Sequence, residues 1–280
     1  MDTDKFFKIT EPTCISFSGG RTSAYMLWRI LQAHQMSLPS DAVVCFANTG
    51  KEEEATLEFV RDCEKFWNVP IIWIEYDPEK ERNYKIVDFK TASRNGEPFE
   101  AVIKKKNYLP NPVTRFCTVE MKIRPIARYL VDIGFAEKNS HAENMSWVGI
   151  RADEQRRAAK ITEKDRIPLA MAGVTKEIVG EFWKNQLFDL QLPNINGVTY
   201  HGNCDLCFLK GANQTFRLIK EKPERALWWI KMENTTLASR PDGATFRKDR
   251  PSYVEMYEYA LKQDDMFGDN DESIACFCGD

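Results

Sequence analysis

A glycine-containing turn near the start of the chain has the composition of a phosphate-binding loop. The segment Ser18-Gly19-Gly20-Arg21-Thr22-Ser23 follows an apolar run, CISFS, and leads directly into a run with helical spacing, AYMLWRIL. Glycines let backbone N–H groups approach an anion, and a helix that begins at the turn adds the positive end of its dipole. The three hydroxyls of the segment and the guanidinium of Arg21 would supply further donors. A plain helix N-cap without any ligand is the alternative interpretation.

Five of the eight cysteines have a spacing that could hold a metal. The C-x-x-C pair Cys204 and Cys207 can place two thiolates on one ion. Cys117 and one cysteine of the C-terminal end, Cys276 or Cys278, would complete four sulfur ligands for a [4Fe–4S] cluster or for Zn²⁺. A redox disulfide between Cys204 and Cys207 and inert buried thiols remain alternatives. The other three cysteines are expected to be core residues: Cys14, Cys45 and Cys63.

Basic side chains cluster on both sides of the strand-like run MSWVGI and around Cys117. Guanidinium groups bind phosphate or sulfate oxygens through two parallel hydrogen bonds, and a lysine acts as a point charge. Solvated helix faces are the alternative. The members of these two basic groups are Arg115, Lys122, Arg124, Arg151, Arg156 and Arg157.

A second polar turn, Asn48-Thr49-Gly50, ends the next strand-like run along the chain. We expect it beside the glycine turn, because the carboxyl ends of parallel strands meet at one edge of a sheet. Its backbone amides and the Asn48 side chain could bind a base or a ribose. A strand-ending turn with no ligand is the alternative.

The sequence segments that must position these residues alternate between the apolar periodicity of a strand and that of a helix. Short runs rich in β-forming residues cover 13–17, 42–47 and 70–76, and stretches with helical spacing cover 22–36 and 52–67. Such alternation predicts parallel strands joined by right-handed crossovers, hence an α/β protein with a parallel twisted sheet and helices on both faces.

The rest of the chain is predicted to contain more helix than strand. A polar excursion over 77–112 contains at most one hairpin, and one further strand covers 145–150. Helical spacing returns over 119–133, 175–188, 218–232 and 253–262. We therefore expect two regions: a nucleotide-binding α/β domain over 1–165, and a mostly helical, cysteine-bearing extension over 166–280 that packs on it.

Composition excludes several classes of protein. The 280 residues include 39 basic and 42 acidic side chains, a net charge of −3, so no overall field draws the chain to nucleic acid or to an anionic membrane. The lysine run 104–106 is the one local feature that favours a nucleic-acid partner. No apolar run approaches the roughly 20 residues of a spanning helix, and the acidic start is untypical of a signal peptide. We expect a cytoplasmic protein without membrane contact.

Several short motifs, in order, resemble those of the phosphoadenosine phosphosulfate (PAPS) reductase family, within the adenine nucleotide alpha hydrolase-like superfamily. SGGRTS is similar to the pyrophosphate-binding PP-loop. The segment from Phe46 to Gly50, followed by Glu53, is similar to the family's second strand and its T-G-x-E element. The segments that carry the remaining resemblance are Arg115-Phe116-Cys117-Thr118 with Lys122, Trp147-Val148-Gly149-Ile150-Arg151, and Gly202-Asn203-Cys204-Asp205-Leu206-Cys207.

The resemblance implies a Rossmann-like fold and an enzyme that binds ATP with Mg²⁺. It places the nucleotide on the PP-loop, on residues 48–50, and on Arg115 and Gly149. It gives catalytic roles to Arg21, Lys122 and Arg151, which would neutralise or orient the anionic parts of the substrates. Cleavage of the α–β bond, as in ATP pyrophosphatases and adenylyl transferases, is the first expected reaction, in sulfur transfer or in nucleotide or nucleic-acid modification.

Two departures from the family pattern keep other functions open. Thr118 stands where cluster-bearing reductases have the second cysteine of a pair, and Cys278-Gly279 lacks the Glu and His that flank the reductase nucleophile. A sulfonucleotide reductase that releases sulfite through Cys276 or Cys278, with a thioredoxin-like protein as reductant, is the second expectation. A sulfur donor is the corresponding partner for sulfur transfer. A non-catalytic nucleotide-binding protein is the third.

Overall fold

A five-stranded sheet forms the centre of the computed structural model, which describes residues 3–137, 145–195, 198–241 and 244–262. Its strands are β1 (Thr13–Phe17), β2 (Ala42–Asn48), β3 (Ile71–Tyr76), β4 (Tyr84–Val87) and β5 (Ser146–Val148). Their order is β4-β3-β2-β1-β5, in which β4 alone runs antiparallel to its neighbour. The predicted α/β fold with a mostly parallel sheet is confirmed.

Helices cover both faces of this sheet and make up most of the C-terminal region. The longest has 15 residues, and in the described ranges no helix is both long enough and apolar enough to cross a bilayer. The helices are α1 (Arg21–Ala33), α2 (Glu54–Trp67), α3 (Glu97–Lys106), α4 (Phe116–Thr118), α5 (Arg124–Asp132), α6 (Gln155–Ala158), α7 (Pro168–Met171), α8 (Lys176–Lys184), α9 (Ala212–Glu221), α10 (Arg225–Ser239) and α11 (Tyr253–Lys262). A small hairpin joins β6 (Asn194–Ile195) to β7 (Val198–Thr199).

The near-continuous apolar character of the parallel strands follows from burial on both faces. Along β1, Ile15 packs in a core with α1, α2 and α8, whereas its neighbour Cys14 packs with α5 on the opposite face. Successive side chains of a strand point to opposite faces, so a strand covered on both sides needs apolar residues at every position. Cys14, Cys45 and Cys63 are fully buried, as expected of core residues.

Three parts of the sequence prediction differ from the structure. The excursion over 77–112 contains β4, the expected hairpin strand, but also α3, which begins after Gly96 with Pro98 in its first turn. The helix expected over 218–232 is two helices, because Pro223 cannot continue α9. The helix expected over 119–133 begins with a π-helical turn, Val119–Ile123, before α5.

A second apolar core holds the C-terminal helices together and extends to α3 and α4. Trp229 of α10 lies at its centre, fully buried against Phe99, Phe246 and Tyr253, and its indole N–H donates to Asp205 at 2.9 Å. By contrast, Trp183 of α8 packs in the first core. Core membership thus crosses the predicted boundary between 1–165 and 166–280, and that boundary stays a prediction.

Replacing Trp229 by alanine should destabilise the protein strongly. The change would leave a large cavity and remove the hydrogen-bond donor of Asp205, and comparable core truncations cost about 3–5 kcal/mol. Leu227→Ala, on the same helix but 53% exposed, is the control, with an expected change within about 0.5 kcal/mol. Urea denaturation measures both, and equal effects of the two variants would contradict the assigned core.

Candidate functional site

The glycine turn forms an open loop between β1 and α1. Gly19 adopts a φ of +79°, and a Cβ there would lie 2.7 Å from Thr56 Cγ2, so only glycine fits without displacement. Within the described residues, the amides of Gly19 and Gly20 donate no hydrogen bond. The first amides of α1 have no acceptor inside their own helix. The loop therefore presents unused donors at the carboxyl end of β1, as the sequence predicts.

Two hydroxyls of the loop shape it from within. Ser23 Oγ donates to the carbonyl of Gly20 at 3.0 Å and accepts from the amide of Ser18 at 3.1 Å. The two serine oxygens lie 2.9 Å apart. These contacts involve the hydroxyls and the Ser18 amide, and they leave the amides of Gly19 and Gly20 available to a ligand.

The side chain of Arg21 is bonded to protein groups. Its guanidinium binds both carboxylate oxygens of Asp189, at 2.7 and 2.8 Å, and donates to the carbonyl of Leu190 at 2.5 Å. A further hydrogen bond of 3.3 Å reaches Thr199 Oγ1. These contacts of the largely buried Arg21 side chain are those of a positioning residue. The sequence predicts a catalytic role for Arg21 on the pyrophosphate, and that role stays a prediction.

A small hollow of about 10 Å³ lies in front of the loop. Ser18, Gly19 and Gly20 form one wall, and Gly202 with Asn203 forms part of another. Two charged side chains from elsewhere in the chain also line it, Glu52 and Lys122, with Lys122 Nζ 4.0 Å from Glu52 Oε1.

A larger cavity of about 240 Å³ adjoins this hollow at the ends of β1, β2 and β5. Ser18 and Lys122 line both spaces, so the two are neighbours. Its walls are mainly apolar, with Ile123, Ile126 and Ile161 among them. A shallower groove of about 610 Å³ between residues 108–114 and 245–249 touches no residue of the loop.

The shared residue Lys122 lies in the π-helical turn Val119–Ile123. A π turn adds one residue to a helical turn, changes the direction of its side chains, and is frequent at functional sites. The side chain of Lys122 is 19% exposed. The structure therefore places this predicted catalytic residue between the hollow and the cavity.

Arg151 reaches the loop from the end of β5. Its Nη1 donates to Thr22 Oγ1 at 2.9 Å, and its Nε donates to Asp153 at 3.1 Å. Gly149 makes this approach feasible, because a Cβ at that position would lie 3.1 Å from Ser23 Cα. Both residues, predicted as part of the site, are thus next to the loop.

The turn 48–50 is used structurally. The Asn48 side-chain amide donates to Glu75 Oε1 at 2.6 Å and to the carbonyl of Ser93 at 2.9 Å, and its oxygen accepts from the amide of Gly50 at 3.1 Å. Gly50, at φ +76°, lies against the backbone of Gly96. In this structure the polar atoms of the Asn48 side chain all have protein partners and hold neighbouring segments together, and its contact with the nucleotide stays a prediction.

Glu52 lines the hollow, whereas the sequence prediction named Glu53 at this point of the chain. Its carboxylate accepts from the amide of Thr49 at 2.9 Å and from the amide of Lys51 at 3.2 Å, and its side chain is 4% exposed. The spacing Thr49-x-x-Glu52 is that of a capping box, a signal that could have identified this contact. Glu53 forms an ion pair with Arg225 instead.

The cysteines do not form a metal site within the described ranges. No three His, Cys, Asp or Glu side chains there are placed to share an ion, although Cys117, Cys204 and Cys207 are predicted ligands. Burial and then the charge of Glu52 raise the pKa of the Cys204 thiol well above its usual value, so it is protonated at neutral pH. The predicted ligand Cys276 and the predicted nucleophile Cys278 lie outside the described residues.

Arg115 is the N-cap residue that precedes α4, and the ring of Phe116 that follows it packs against Tyr108. Arg115 does not line the hollow or the cavity, and its contact with the nucleotide stays a prediction. Arg157, a member of the predicted basic groups, lines the cavity, and so does Arg166, which the prediction did not include.

The parallel sheet, the open loop at the end of β1 and the adjoining cavity define an α/β protein with a PP-loop. The model of the phosphoadenosine phosphosulfate reductase domain matches residues 12–166. The chain belongs to this family, within the adenine nucleotide alpha hydrolase-like superfamily, and its function is nucleotide handling of the PP-loop type.

Two relatives extend the comparison. The chain is 32% identical, over 92% of its length and 85% of the relative's, to the uncharacterized nin region protein ORF290 of Escherichia phage lambda. It is 30% identical, over 52% of its length, to the uncharacterized protein MJ0066 of Methanocaldococcus jannaschii, of which it spans 24%.

Gly19→Ala should abolish the phosphate loop's function. A methyl group at φ +79° would strain the backbone and collide with Thr56, so we expect ATP affinity to fall by more than about tenfold. Gly173→Ala is the control, because Gly173 also has a positive φ, +69°, but a methyl group there would meet no other atom within 4 Å. That control should lose about 1–2 kcal/mol of stability and no affinity.

Calorimetric titration with ATP and urea denaturation measure the two effects of each glycine variant. Unchanged ATP affinity in a folded Gly19→Ala protein would contradict contact between the loop and the ligand.

Proposed function

We propose that the chain binds ATP with Mg²⁺ and cleaves its α–β bond, transferring the adenylyl group to an acceptor. The observation that carries the proposal is the pair of unused amides at Gly19 and Gly20, two residues that line a hollow next to a 240 Å³ cavity. The free amides of the loop suit phosphate oxygens, and the apolar walls of the cavity suit the base.

In this reaction an acceptor oxygen or sulfur attacks the α-phosphorus, and the bond from that phosphorus to the bridging oxygen breaks. The electron pair leaves with pyrophosphate, so negative charge accumulates where the loop amides and Lys122 lie. Fixed donors directed at developing charge stabilise the transition state with little reorganisation. Arg151 acts through Thr22, whose position at the start of α1 it holds.

Glu52 is the carboxylate through which Mg²⁺ would be bound. It is the acidic side chain among the described residues that line the hollow, and Mg²⁺ is commonly held by one or two carboxylates together with substrate phosphates. The ion would neutralise phosphate charge. Lys122, 4.0 Å from the same carboxylate, would share that environment.

The described cysteines do not fit an iron–sulfur cluster or a zinc ion, and no step is assigned to either. A sulfonucleotide reductase remains the second candidate, favoured by the family match and by the cations around the cavity. It would need a thioredoxin-like reductant and a thiolate from the C-terminal end. A non-catalytic protein, the third expectation from the sequence, would bind nucleotide but release neither pyrophosphate nor sulfite.

We propose in addition that the acceptor could be a nucleic acid and that the protein is located in the cytoplasm.

Lys122→Met should weaken both ATP binding and pyrophosphate release. Hydrogen bonds to charged groups contribute about 1.5–3 kcal/mol, which corresponds to a loss of about ten- to a hundredfold. Lys65→Met, an exposed lysine on α2, removes the same charge outside the site and should change neither. Pyrophosphate release with candidate acceptors and ATP titration give the two readouts; a wild-type protein that binds no ATP would refute the proposal.

Cys278→Ser separates the two candidate reactions. If the protein is a sulfonucleotide reductase, this change abolishes sulfite formation from PAPS with thioredoxin, because the attacking sulfur is gone. If it is an adenylyl transferase, pyrophosphate release is unaffected and no sulfite forms in either protein. Cys63→Ser is unsuitable as a control because Cys63 is buried, so Ser273→Ala in the same segment serves.

A further inference from the structure

A basic groove lies on the surface between the segment 108–114 and the residues Arg240 and 245–249. Its volume of about 610 Å³ is within the range of about 300–1,000 Å³ that is usual for pockets that hold small ligands. It shares no lining residue with the hollow or the cavity. The described residues that line it include three cations and one carboxylate: Arg240, Arg247, Lys248 and Asp249.

Two positive charges of the basic groove have no carboxylate partner. Arg240 and Lys248 are exposed, and neither forms an ion pair with the described residues. Arg247 binds both carboxylate oxygens of Asp249, with Nε 2.8 Å from Oδ1, and these hydrogen bonds lower the pKa of Asp249 to about 2. Arg247 therefore balances the one carboxylate, and the charges of Arg240 and Lys248 remain for a ligand.

The lysine run 104–106, which the sequence favours for a nucleic-acid partner, does not supply such charge. Lys104 pairs with Glu100 at 2.9 Å, and Lys106 pairs with Glu120 at 2.7 Å. A surface on which cations and carboxylates alternate attracts a polyanion weakly. The basic groove is therefore the better candidate for a polyanion.

An aromatic ring in the wall of the groove adds a stacking surface. The guanidinium carbon of Arg240 lies 5.5 Å from the centre of the Tyr108 ring. Tyr108 also packs edge-to-face against Phe116, with the ring centres 4.9 Å apart, which limits its motion. Aromatic rings and guanidinium planes stack on unpaired bases. The carboxylates of an acidic peptide would need the cations alone.

The basic groove is also close to the nucleotide cavity. Thr114 lines the groove and Thr118 lines the cavity. Four residues of chain span at most about 14 Å, so the two walls are near each other. A strand that extends beyond the groove can therefore reach the edge of the cavity.

We propose that the basic groove binds a single-stranded nucleic acid, whose phosphates contact Arg240 and Lys248 while a base stacks on Tyr108. A single strand fits better than a duplex, because the bases of a duplex are already stacked on one another. The proposal goes beyond the proposed function and concerns binding alone. It therefore holds whether or not the bound strand accepts the adenylyl group, and its test needs no ATP.

Fluorescence anisotropy with labelled oligothymidylate and oligouridylate of about 12 nucleotides measures binding to the full chain. The double variant Arg240→Gln with Lys248→Gln should bind at least about tenfold more weakly. The slope of log affinity against log salt should fall in magnitude by about 1.4, because each phosphate contact with a single strand contributes about 0.7. The matched control is Arg156→Gln with Lys65→Gln, two exposed positions outside the groove, and it should match the wild type.

The Tyr108 variants separate a nucleic acid from a partner that is bound by charge alone. Tyr108→Leu removes the ring and should weaken oligonucleotide binding by about five- to a hundredfold, whereas Tyr108→Phe keeps the ring and the affinity. The tighter of the two oligonucleotides identifies the sugar, and either result supports the groove.

Other results overturn the proposal. Equal losses in the two double variants would mean that attraction is not specific to the groove. Binding of poly-glutamate as tight as that of the oligonucleotides, with no effect of Tyr108→Leu, would assign the groove to an acidic protein. If Tyr108→Leu does not fold by thermal melting, the double variants and their salt slopes decide. A wild-type protein that binds ATP but neither oligonucleotide refutes this inference alone, whereas one that binds an oligonucleotide but no ATP refutes the proposed function alone.

Discussion

The ion pair between Arg21 and Asp189 is the interaction on which the geometry of the site depends. Arg21 is the first residue of α1, so it lies where the phosphate loop becomes a helix, and Asp189 precedes the segment that closes the hollow. Trp183 adds a second connection, because its indole N–H donates to the carbonyl of Arg21 at 2.9 Å. The loop is therefore held open by contacts outside itself, and its glycine amides need not bond to one another.

A second ion pair, with both side chains buried, connects the segment after β2 to the C-terminal region. Lys51 Nζ lies 2.9 Å from Asp205 Oδ2, both side chains are almost fully buried, and Asp205 also accepts from the indole of Trp229. The amide of Asp205 donates to the carbonyl of Lys51 at 2.7 Å. Removing one partner of such a pair leaves an uncompensated buried charge. The C-terminal helices thereby position Gly202 and Asn203 against the phosphate loop.

Charge is distributed unevenly within a nearly neutral chain. The net charge of −3 conceals a cavity with three cations and no carboxylate among its described lining residues, while Glu52 is the acidic group at the adjoining hollow. In a partly apolar cavity these charges act more strongly than at the surface. The arrangement explains how a chain with no overall attraction for anions can still select one.

The sequence by itself determined the α/β order of elements and the position of the glycine loop. These depend on local periodicity, on glycine's access to positive φ, and on the rule that parallel strands end at one edge. The approach of Arg151 and Lys122 to the loop was predicted through the family resemblance of their motifs. Only the tertiary structure decided that Arg21 and Asn48 bond to protein groups, that Glu52 and Arg157 line the site, and that Cys117, Cys204 and Cys207 form no metal cluster among the residues described. Side chains that are far apart along the chain come into contact only through tertiary packing. The residue pattern of one segment does not indicate which distant residue will contact it.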